Sequence, residues 1–401
     1  MSALQFSSPD FEPLRQLTGQ EWKRALQFCD RAQLTLPLAL RCREHLPDDV
    51  RERTDRNLAG NAERWQRIRA AYREVAQPFE QAGIEFAVLK GFSHCPDFVS
   101  DPRLRPQYDI DLLLPREQLA RAREIVSSLG YEPLKKSNGR EDHLPAMIRK
   151  TGWQWRGDLF DPEIPVSLEL HFRLWDRHTE QFGPADLDSF WERRERRNLE
   201  GLSFMALRPV DAVAYASLHL LRHLLRGDGK PFHVYELASF LNDSAGDDLF
   251  WSKWMEWHDP SLRRIQAICF DLARRWFHCS LSPAASEEIG LLPCEVTRWL
   301  ETSAFSPLIG LVRPNKDELW LHWNLIDSRR DRYSMLRRRL LPASLPGPVD
   351  AVYLPDREIT WRIALRRKWR YARYAASRAI HHLGALPGVA IGAVRWFALT
   401  R

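Results

Sequence analysis

Two aspartates one residue apart stand inside an otherwise apolar run of the sequence. Asp109 and Asp111 belong to the segment DIDLLL, whose other residues are isoleucine and leucine, and Pro115 ends the run. Because side chains alternate across a β-strand, a strand here would project both carboxylates from one face. Two neighbouring carboxylates on a half-buried strand repel each other and lose hydration, so they need a cation. A hard divalent cation such as magnesium fits them best.

A third carboxylate follows about sixty residues later. In the stretch VSLELH, aliphatic residues alternate with Ser167, Glu169 and His171, so Glu169 lies on the polar face of a predicted strand. If that strand neighbours the DID strand, three carboxylates converge. In-line nucleotidyl transfer needs such a set, because one magnesium ion bridges the triphosphate and a second activates the attacking hydroxyl. The third carboxylate would complete the ligand set or remove the proton.

The segment LKGFSH supplies groups that suit phosphate. Gly91 lets the backbone of a strand-to-helix turn come close to an anion, and Ser93 and backbone N–H groups can face it. Lys90 and Arg105 are cations near this turn and are candidates for neutralising phosphate. Two structural alternatives remain open: Lys90 caps the end of the strand, and Arg105 pairs with one of the two aspartates.

The elements that must position these residues can be predicted in outline. The first part of the chain, up to Gly83, has apolar residues at helical spacing. IEFAVLKG then reads as a strand, and the helical pattern after the DID strand begins at Pro115 and ends at Gly130. A region rich in Trp, Gly and Asp follows, with β-structure and loops. From PVDAVAYASLHLLRHLLRG onward the pattern is helical.

The composition restricts the class of protein. The chain has 401 residues, 44% of them hydrophobic and 28% charged, which is typical of a folded protein of two or three domains and excludes general disorder. The six cysteines form no C-x-x-C pair, which argues against a zinc module and for free thiols in a reducing cytoplasm. We expect neither a secretory signal nor a transmembrane helix. The net charge of +6 favours an anionic partner.

The order of these motifs resembles a known family. LKG, then arginine and DIDLLL, then EDHLP and LELHFRLW are similar to the uncharacterised bacterial nucleotidyltransferases of the DNA polymerase β-like superfamily. The helical region from EWKRAL, the His219–His223 helix and the arginine-rich RYSMLRRRLLP are similar in kind and order. The resemblance implies that Asp109 and Asp111 bind metal and that Glu169 is the third acidic position. Gly91 and Ser93 correspond loosely to the superfamily's glycine-serine turn, although Phe92 separates them here.

Four histidines have structural and functional interpretations. His171 is predicted to point the same way as Glu169, and His143 lies in a loop; a hydrogen-bonded structural role is the favoured interpretation for both. His219 and His223 have the i, i+4 spacing of a zinc site. Leu220 stands where an H-E-x-x-H metalloprotease would have its glutamate, so that class is disfavoured. We expect this pair to be an ordinary helical pair near the cleft.

The C-terminal tail is strongly basic, with interleaved aromatic residues. Three interpretations remain open: it binds a nucleic-acid backbone by charge neutralisation and stacking, it lies on an anionic membrane, or it packs its aromatic side inward as an ordinary helix. In the membrane interpretation, the aromatic and aliphatic residues near the end, Trp396, Phe397 and Leu399, enter the interface.

These observations predict an α+β protein with a polymerase β-like nucleotidyltransferase core, a mixed sheet with helices. The predicted divisions are a helical N-terminal arm (1–83), the core (84–200), a helical domain (201–345) and a basic helical tail (346–401). The predicted function is magnesium-dependent transfer of an NMP group from a nucleoside triphosphate to an unidentified hydroxyl-bearing acceptor, with two Mg²⁺ ions or Mn²⁺ in their place. The alternatives are a non-catalytic module that binds a membrane or a partner protein, and an RNA-modifying transferase. We expect a cytoplasmic location, with peripheral contact to the inner membrane face as a further expectation.

Overall fold

The computed structural model describes residues 1–134, 142–185, 187–342, 353–354 and 358–399. Short 3₁₀ helices precede or join several of the longer elements, among them Gly91–His94, Pro102–Leu104 and Arg116–Gln118. The α-helices are α1 (Glu12–Arg15), α2 (Gly19–Ala32), α3 (Thr35–Arg41), α4 (Asp48–Gln81), α5 (Leu119–Ser128), α6 (Arg177–Glu180), α7 (Ser189–Glu192), α8 (Pro209–Arg226), α9 (Pro231–Ser244), α10 (Asp248–Trp257), α11 (Pro260–Phe277), α12 (Pro283–Gly290), α13 (Cys294–Ser303), α14 (Ser306–Gly310), α15 (Glu318–Leu325), α16 (Arg329–Leu340) and α17 (Trp361–Leu399).

A mixed sheet of seven strands lies at the centre of the first half of the chain. The strands are β1 (Ala87–Val88), β2 (Asp109–Leu113), β3 (Glu132–Pro133), β4 (Met147–Ile148), β5 (Ser167–His171), β6 (Glu195–Leu199) and β7 (Leu202–Ala206). Their order across the sheet is β3-β4-β5-β2-β1-β7-β6. Strand β2 pairs parallel to β5 and antiparallel to β1, and β1 pairs parallel to β7. The structure is therefore α+β, as predicted.

The two central strands β2 and β5 have one apolar and one polar face. Ile110 and Leu112 on β2 and Leu168 and Leu170 on β5 are fully buried, and they pack in one hydrophobic cluster with residues of α4 and α5. Because side chains alternate along a strand, the aspartates, glutamate and histidine of the same strands point to the other side of the sheet. The alternation predicted from VSLELH is confirmed.

A second, larger core lies on the helical side of the molecule. It joins buried residues of α2 and α3 to those of α8, α9, α11, α13 and α15. The N-terminal helices thus pack with the helices that follow the sheet, although a long stretch of chain separates them in sequence. Helix α8 is buried along most of its length, and it brings Tyr215, His219 and Arg222 to the polar side of the sheet.

The order of elements agrees with the pattern of the sequence. IEFAVLKG contains the short strand β1, and Leu89 N–H continues the pairing by donating to the Asp111 carbonyl at 3.1 Å. The helical pattern after Pro115 begins as a 3₁₀ turn and becomes α5 at Leu119. Strand β7 pairs with β1, so the sheet extends beyond residue 200 to Ala206. Within the described residues, no helix has both the length and the apolar character needed to cross a bilayer.

Candidate active site

The adjacency of β2 and β5 brings the predicted carboxylates to one place. Asp109 pairs in register with Ser167, and Asp111 pairs with Glu169. One carboxylate oxygen of Asp111, one of Glu169 and one ring nitrogen of His171 all lie within 4.8 Å of one another, which is close enough to bind a single metal ion. Asp109 stands at the start of β2, half-buried, and is joined to this group through Lys90.

Lys90 bridges the two aspartates. Its Nζ lies 3.2 Å from Asp109 Oδ2 and 2.7 Å from Asp111 Oδ2. Burial alone would lower the pKa of Lys90, but the charges of Asp109 and Asp111 outweigh burial and hold this pKa above its usual value. The ammonium group therefore stays charged and is the cation that compensates the two neighbouring carboxylates. This pairing was not predicted from the sequence, where a phosphate contact and a cap of the strand end were the two interpretations of Lys90.

His171 is the second positive group beside the carboxylates. Its Nε2 lies 3.0 Å from Asp111 Oδ1 and 3.5 Å from Glu169 Oε2. Burial would lower the pKa of His171, but these two hydrogen-bond partners raise it to about 9. Burial likewise would raise the pKa of Glu169, and the hydrogen bond from His171 lowers it to about 2. The side chain is a hydrogen-bonded histidine, and its position beside Glu169 agrees with the predicted alternation.

The glycine turn lies directly next to the start of β2. Gly91 begins a 3₁₀ helix with φ +78°, a left-handed conformation that L side chains rarely adopt. A Cβ atom there would lie 2.2 Å from Gln107 Nε2, which itself donates to the Asp109 carbonyl at 2.7 Å. Glycine thus permits the close packing of this turn against β2. Ser93 is buried in the same turn, and its carbonyl oxygen accepts from Arg197 Nη1 at 2.9 Å.

Arg105 has a partner that the sequence did not indicate. Its Nε lies 2.5 Å from Glu236 Oε1 and its Nη2 lies 3.2 Å from Glu236 Oε2, a bidentate pair between the loop before β2 and helix α9. His94 Nδ1 also contacts Glu236, at 3.1 Å. Burial would raise the pKa of Glu236, but Arg105 and His94 together hold it well below its usual range. Arg105 therefore borders the site, where it lines a narrow cleft with Lys90 and His94.

A second charged group adjoins His171 on its other side. Asp142 Oδ1 lies 2.7 Å from His143 Nδ1, and the other oxygen of Asp142 accepts from Arg222 on α8. The ring of His143 lies 4.9 Å from that of His171, centroid to centroid. Burial would raise the pKa of Asp142, but the His143 hydrogen bond and Arg222 hold it well below its usual range. Sequence analysis noticed His143 alone; the adjacent Asp142 in EDHLP was the available signal.

His219 and His223 form a cluster with a third histidine. The ring of His233 on α9 lies 4.8 Å from His219 and 6.1 Å from His223, between centroids. Burial holds the pKa values of His219 and His233 well below the usual range, so both are neutral. His223 is partly exposed and bonds Asp228 at 2.9 Å. The expected helical pair near the cleft is therefore part of a group of three.

A large groove lies at another part of the sheet. It has a volume of about 1320 Å³ and opens beyond the carboxyl ends of β2 and β5, where Arg116, Phe172 and Trp175 line it. None of the three carboxylates lines this groove. The charged site and this groove are thus separate features of the described structure.

The donor set of the site suits a hard divalent cation. The three carboxylates offer only oxygen atoms, which are the ligands that magnesium and manganese prefer. Asp111 Oδ2 is buried, and its partner is the Lys90 ammonium at 2.7 Å. The residues present therefore fit the expected metal, with Lys90 as the competing cation.

A family model identifies the kind of protein to which the chain belongs. No curated protein and no solved structure matches the chain. A family model described as "uncharacterised nucleotidyltransferase" matches residues 18–278, which is more than half of the chain. The matched range contains β1 to β7 together with the two aspartates, Glu169, Lys90 and the α8 and α9 residues around them. The chain therefore belongs to this family of nucleotidyltransferases.

Proposed function

We propose that the protein transfers a nucleoside monophosphate from a nucleoside triphosphate to a hydroxyl-bearing acceptor, with magnesium held by Asp109, Asp111 and Glu169. The pairing of Asp111 with Glu169 across two parallel neighbouring strands carries this proposal. It brings carboxylates from distant parts of the chain to one face of a sheet, in a protein whose family is a nucleotidyltransferase family. Nucleotidyl transfer requires this combination.

The roles of the residues follow from their charges and positions. Metal ions bound there would neutralise the triphosphate and lower the pKa of the attacking hydroxyl. Asp111 is the most buried ligand and Asp109 the more exposed one, so Asp109 faces the side from which the nucleotide enters. Glu169 is held in place by His171 and is positioned to complete the metal ligands or to accept the acceptor's proton. Gly91 keeps the adjoining turn close to β2.

Lys90 and Arg105 have different expected roles toward the phosphates. Lys90 already neutralises two carboxylates, and when a metal takes over this task its flexible ammonium group becomes available to phosphate. Arg105 is fixed by its bidentate bond to Glu236, so it contributes a stationary positive charge at the border of the cleft. The backbone turn at Gly91 and the buried Ser93 complete the nucleotide-binding part of the proposal.

The experiment that tests this proposal uses the full chain with each of the four labelled nucleoside triphosphates. Incubation with Mg²⁺ or Mn²⁺, with and without cell extract, should give either labelled protein or a labelled acceptor together with pyrophosphate. The same reaction with Asp109→Asn is the matched control, because it removes one ligand charge and keeps the size of the side chain. Absence of labelling with every triphosphate, together with absent binding of metal–nucleotide, would support a non-catalytic module. Labelled RNA as the product would identify an RNA-modifying transferase.

The surface of α17 supports a second proposal, a peripheral contact with anionic membrane in the cytoplasm. At 3.6 residues per turn, seven exposed apolar side chains of this helix fall within roughly a third of its circumference. They are Trp361, Leu365, Trp369, Ile380, Leu383, Ile391 and Val394. The buried residues Ala385, Val389 and Trp396 lie on the other side of the helix.

Positive charge accompanies this exposed stripe. Residues 361–399 contain no aspartate or glutamate, and several exposed cations stand in the first half of α17: Arg362, Arg366, Lys368, Arg370, Arg373 and Arg378. A helix with an exposed apolar stripe and many basic residues lies in the interface of anionic membranes, where each basic residue near the surface contributes about 1 kcal/mol. The buried Trp396 is not available for this contact, contrary to the interpretation that places it in the interface.

Sedimentation with vesicles tests the membrane proposal. The protein should pellet with vesicles that contain phosphatidylserine and not with neutral ones, and binding should weaken as salt rises. Leu365→Glu should reduce pelleting, while Leu291→Glu, which changes a comparably exposed leucine on another part of the surface, should not. No pelleting with anionic vesicles at low salt, or equal effects of the two variants, would contradict the proposal.

A further inference from the structure

We propose that Asp142, His143 and His171 form a second metal site, which takes a zinc-class divalent transition-metal ion and is separate from the magnesium site on the three carboxylates. One ligand atom from each of these residues lies within 4.8 Å of the other two. The three side chains are almost entirely buried. The inference does not depend on nucleotidyl transfer.

The backbone holds these ligands in a fixed arrangement. His143 and His171 are partners in an isolated antiparallel bridge beside β5. Leu144 N–H donates to the Leu170 carbonyl at 2.9 Å, and Phe172 N–H donates to the Asp142 carbonyl at 2.9 Å. The ligands therefore come from two hydrogen-bonded segments at the end of β5, a rigid platform of the kind that metal sites need.

An unpartnered nitrogen points to a ligand at this place. His171 Nδ1 is buried and has no hydrogen-bond partner in the part of the chain that the structure describes, while Nε2 of the same ring bonds Asp111 and Glu169. The side chain is 2% exposed. Leaving a buried ring nitrogen without a partner is unfavourable, because the group has lost its hydration. A metal ion that displaces the Nδ1 proton to solvent and binds this nitrogen would supply the missing partner.

The surroundings of the site match the usual arrangement around a metal-binding histidine. Such a histidine nearly always donates its second ring N–H to a carboxylate, which fixes the orientation of the ring. His171 Nε2 stands against Asp111 and Glu169 in this way. On the other ligand, Arg222 binds one oxygen of Asp142 and leaves Oδ1 toward His143. The arginine thus orients the carboxylate, and Oδ1 would bind the metal in place of its hydrogen bond with His143 Nδ1.

The donor types select the metal. Two imidazole nitrogens and one carboxylate oxygen favour zinc, cobalt or a related ion, whereas the all-oxygen set of Asp109, Asp111 and Glu169 favours magnesium. His171 stands between the two sets. A zinc-class ion on its Nδ1 side would lock the ring and thereby position Asp111 and Glu169 on its Nε2 side. The second site would therefore act as a positioning element for the first.

Titration of the metal-free full-length protein with Co²⁺ and Zn²⁺ alone tests the inference. We expect one tightly bound equivalent, with the visible absorption of cobalt in a site of nitrogen and oxygen ligands. His143→Gln should weaken the affinity at least about 10-fold, and Asp142→Asn should weaken it too. His223→Gln is the matched control, because it alters the other histidine cluster, and it should leave the affinity unchanged.

X-ray absorption of the zinc-loaded wild-type protein adds a measurement that needs no variant, and it should show two imidazole neighbours. Asp109→Asn should abolish the binding of magnesium–nucleotide and retain the zinc affinity, so that the two sites succeed or fail separately. Absence of tight Co²⁺ or Zn²⁺ binding by the wild type would overturn the inference. Unchanged affinity in both His143→Gln and Asp142→Asn, or loss of affinity in His223→Gln, would overturn it as well.

Discussion

Strands β2 and β5 have one apolar face and one charged face. On one face, Ile110, Leu112, Leu168 and Leu170 are completely buried among apolar residues of α4 and α5. This face is stabilised by the transfer of apolar surface out of water, and each fully buried side chain of this size contributes about 1.5–3 kcal/mol. It explains why these segments become strands and lie side by side.

The opposite face gathers ionised groups where burial disfavours charge. Asp111, Glu169, Lys90 and His171 are all largely buried, and each is compensated by an oppositely charged neighbour. Removing charges from water costs several kcal/mol for each ion, and a buried ion pair often contributes no net stability. The burial of apolar side chains on the first face favours the fold and offsets this cost. The residues that form the apolar core and the residues that we propose to bind metal thus lie on opposite sides of the same two strands.

The largest effect is expected when a charge on the polar face is removed, and it should appear in turnover. Asp111→Asn should lower turnover by about 10³-fold, which corresponds to the several kcal/mol that a bound metal supplies, because the most buried ligand loses its charge. Calorimetry should show greatly weakened binding of magnesium–nucleotide, and circular dichroism should show an unchanged fold. Asp109→Asn should likewise weaken the binding of magnesium–nucleotide and leave the fold unchanged. Parental affinity in both variants would mean that the pair does not bind metal.

A change on the apolar face should have the reverse pattern. Leu112→Ala should lower the free energy of unfolding by about 2–5 kcal/mol, because it removes a fully buried side chain and leaves a cavity. Urea unfolding gives this quantity. Turnover by the fraction that remains folded should stay near the parental value. A variant with parental stability and lost activity would show that the two faces are not separate in this way.

A change of the third carboxylate should separate nucleotide binding from turnover. Glu169→Gln keeps the shape of the side chain and removes its charge, so nucleotide binding should survive while turnover falls by about 10²-fold. Single-turnover kinetics separates the two quantities. Leu170→Ala on the other face of the same strand is the control, since it should change stability and not the ratio of kcat to KM of the folded protein. If Glu169→Gln kept the parental turnover, Glu169 would have only a structural role, through its contact with His171.

The sequence was sufficient for the parts of the site that depend on local periodicity. Asp109 and Asp111 share a face because strands alternate, and Glu169 joins them because β5 has the same alternation. For the three carboxylates, the sequence did not show whether β2 and β5 are neighbours in the sheet. The pairing of Asp111 with Glu169 shows that they are. The division of the chain at residues 83, 200 and 345 stays a prediction.

The contacts that sequence analysis missed are long-range. Arg105 was expected near phosphate or an aspartate, but its partner Glu236 comes from α9, which no periodicity in the loop before β2 can indicate. Arg222 likewise reaches Asp142 from a helix much later in the chain. Such pairs are fixed by how helices pack on the sheet, and packing depends on side-chain shapes over the whole core. A single sequence supplies the residue types and not these distances.

The last prediction concerns the pH dependence of stability, which distinguishes the charged cluster from the neutral histidines near it. His219 and His233 have folded-state pKa values well below 6.5, and burial lowers that of His322 to about 4. Below pH 6.5 the unfolded chain binds protons that the folded chain does not, so stability should fall by about 1.4 kcal/mol per pH unit for each such histidine. His171 behaves oppositely, because its folded-state pKa is raised to about 9.

The stability that His171 contributes is fully present below pH 6.5, and it is lost as pH rises through about 9. Urea midpoints measured from pH 5 to pH 10 without metal should therefore decline on both sides. His219→Gln should make the acid decline less steep and leave the alkaline decline intact, because its ring is not part of the carboxylate cluster. His171→Gln should remove the decline between pH 6.5 and about pH 9 and leave the decline at higher pH, where burial of cysteine thiols such as Cys269 and Cys279 raises their pKa values. A profile that is flat between pH 6.5 and pH 5 would contradict the neutral state of the buried histidines, and one that is flat between pH 6.5 and pH 9 would contradict the charged state of His171.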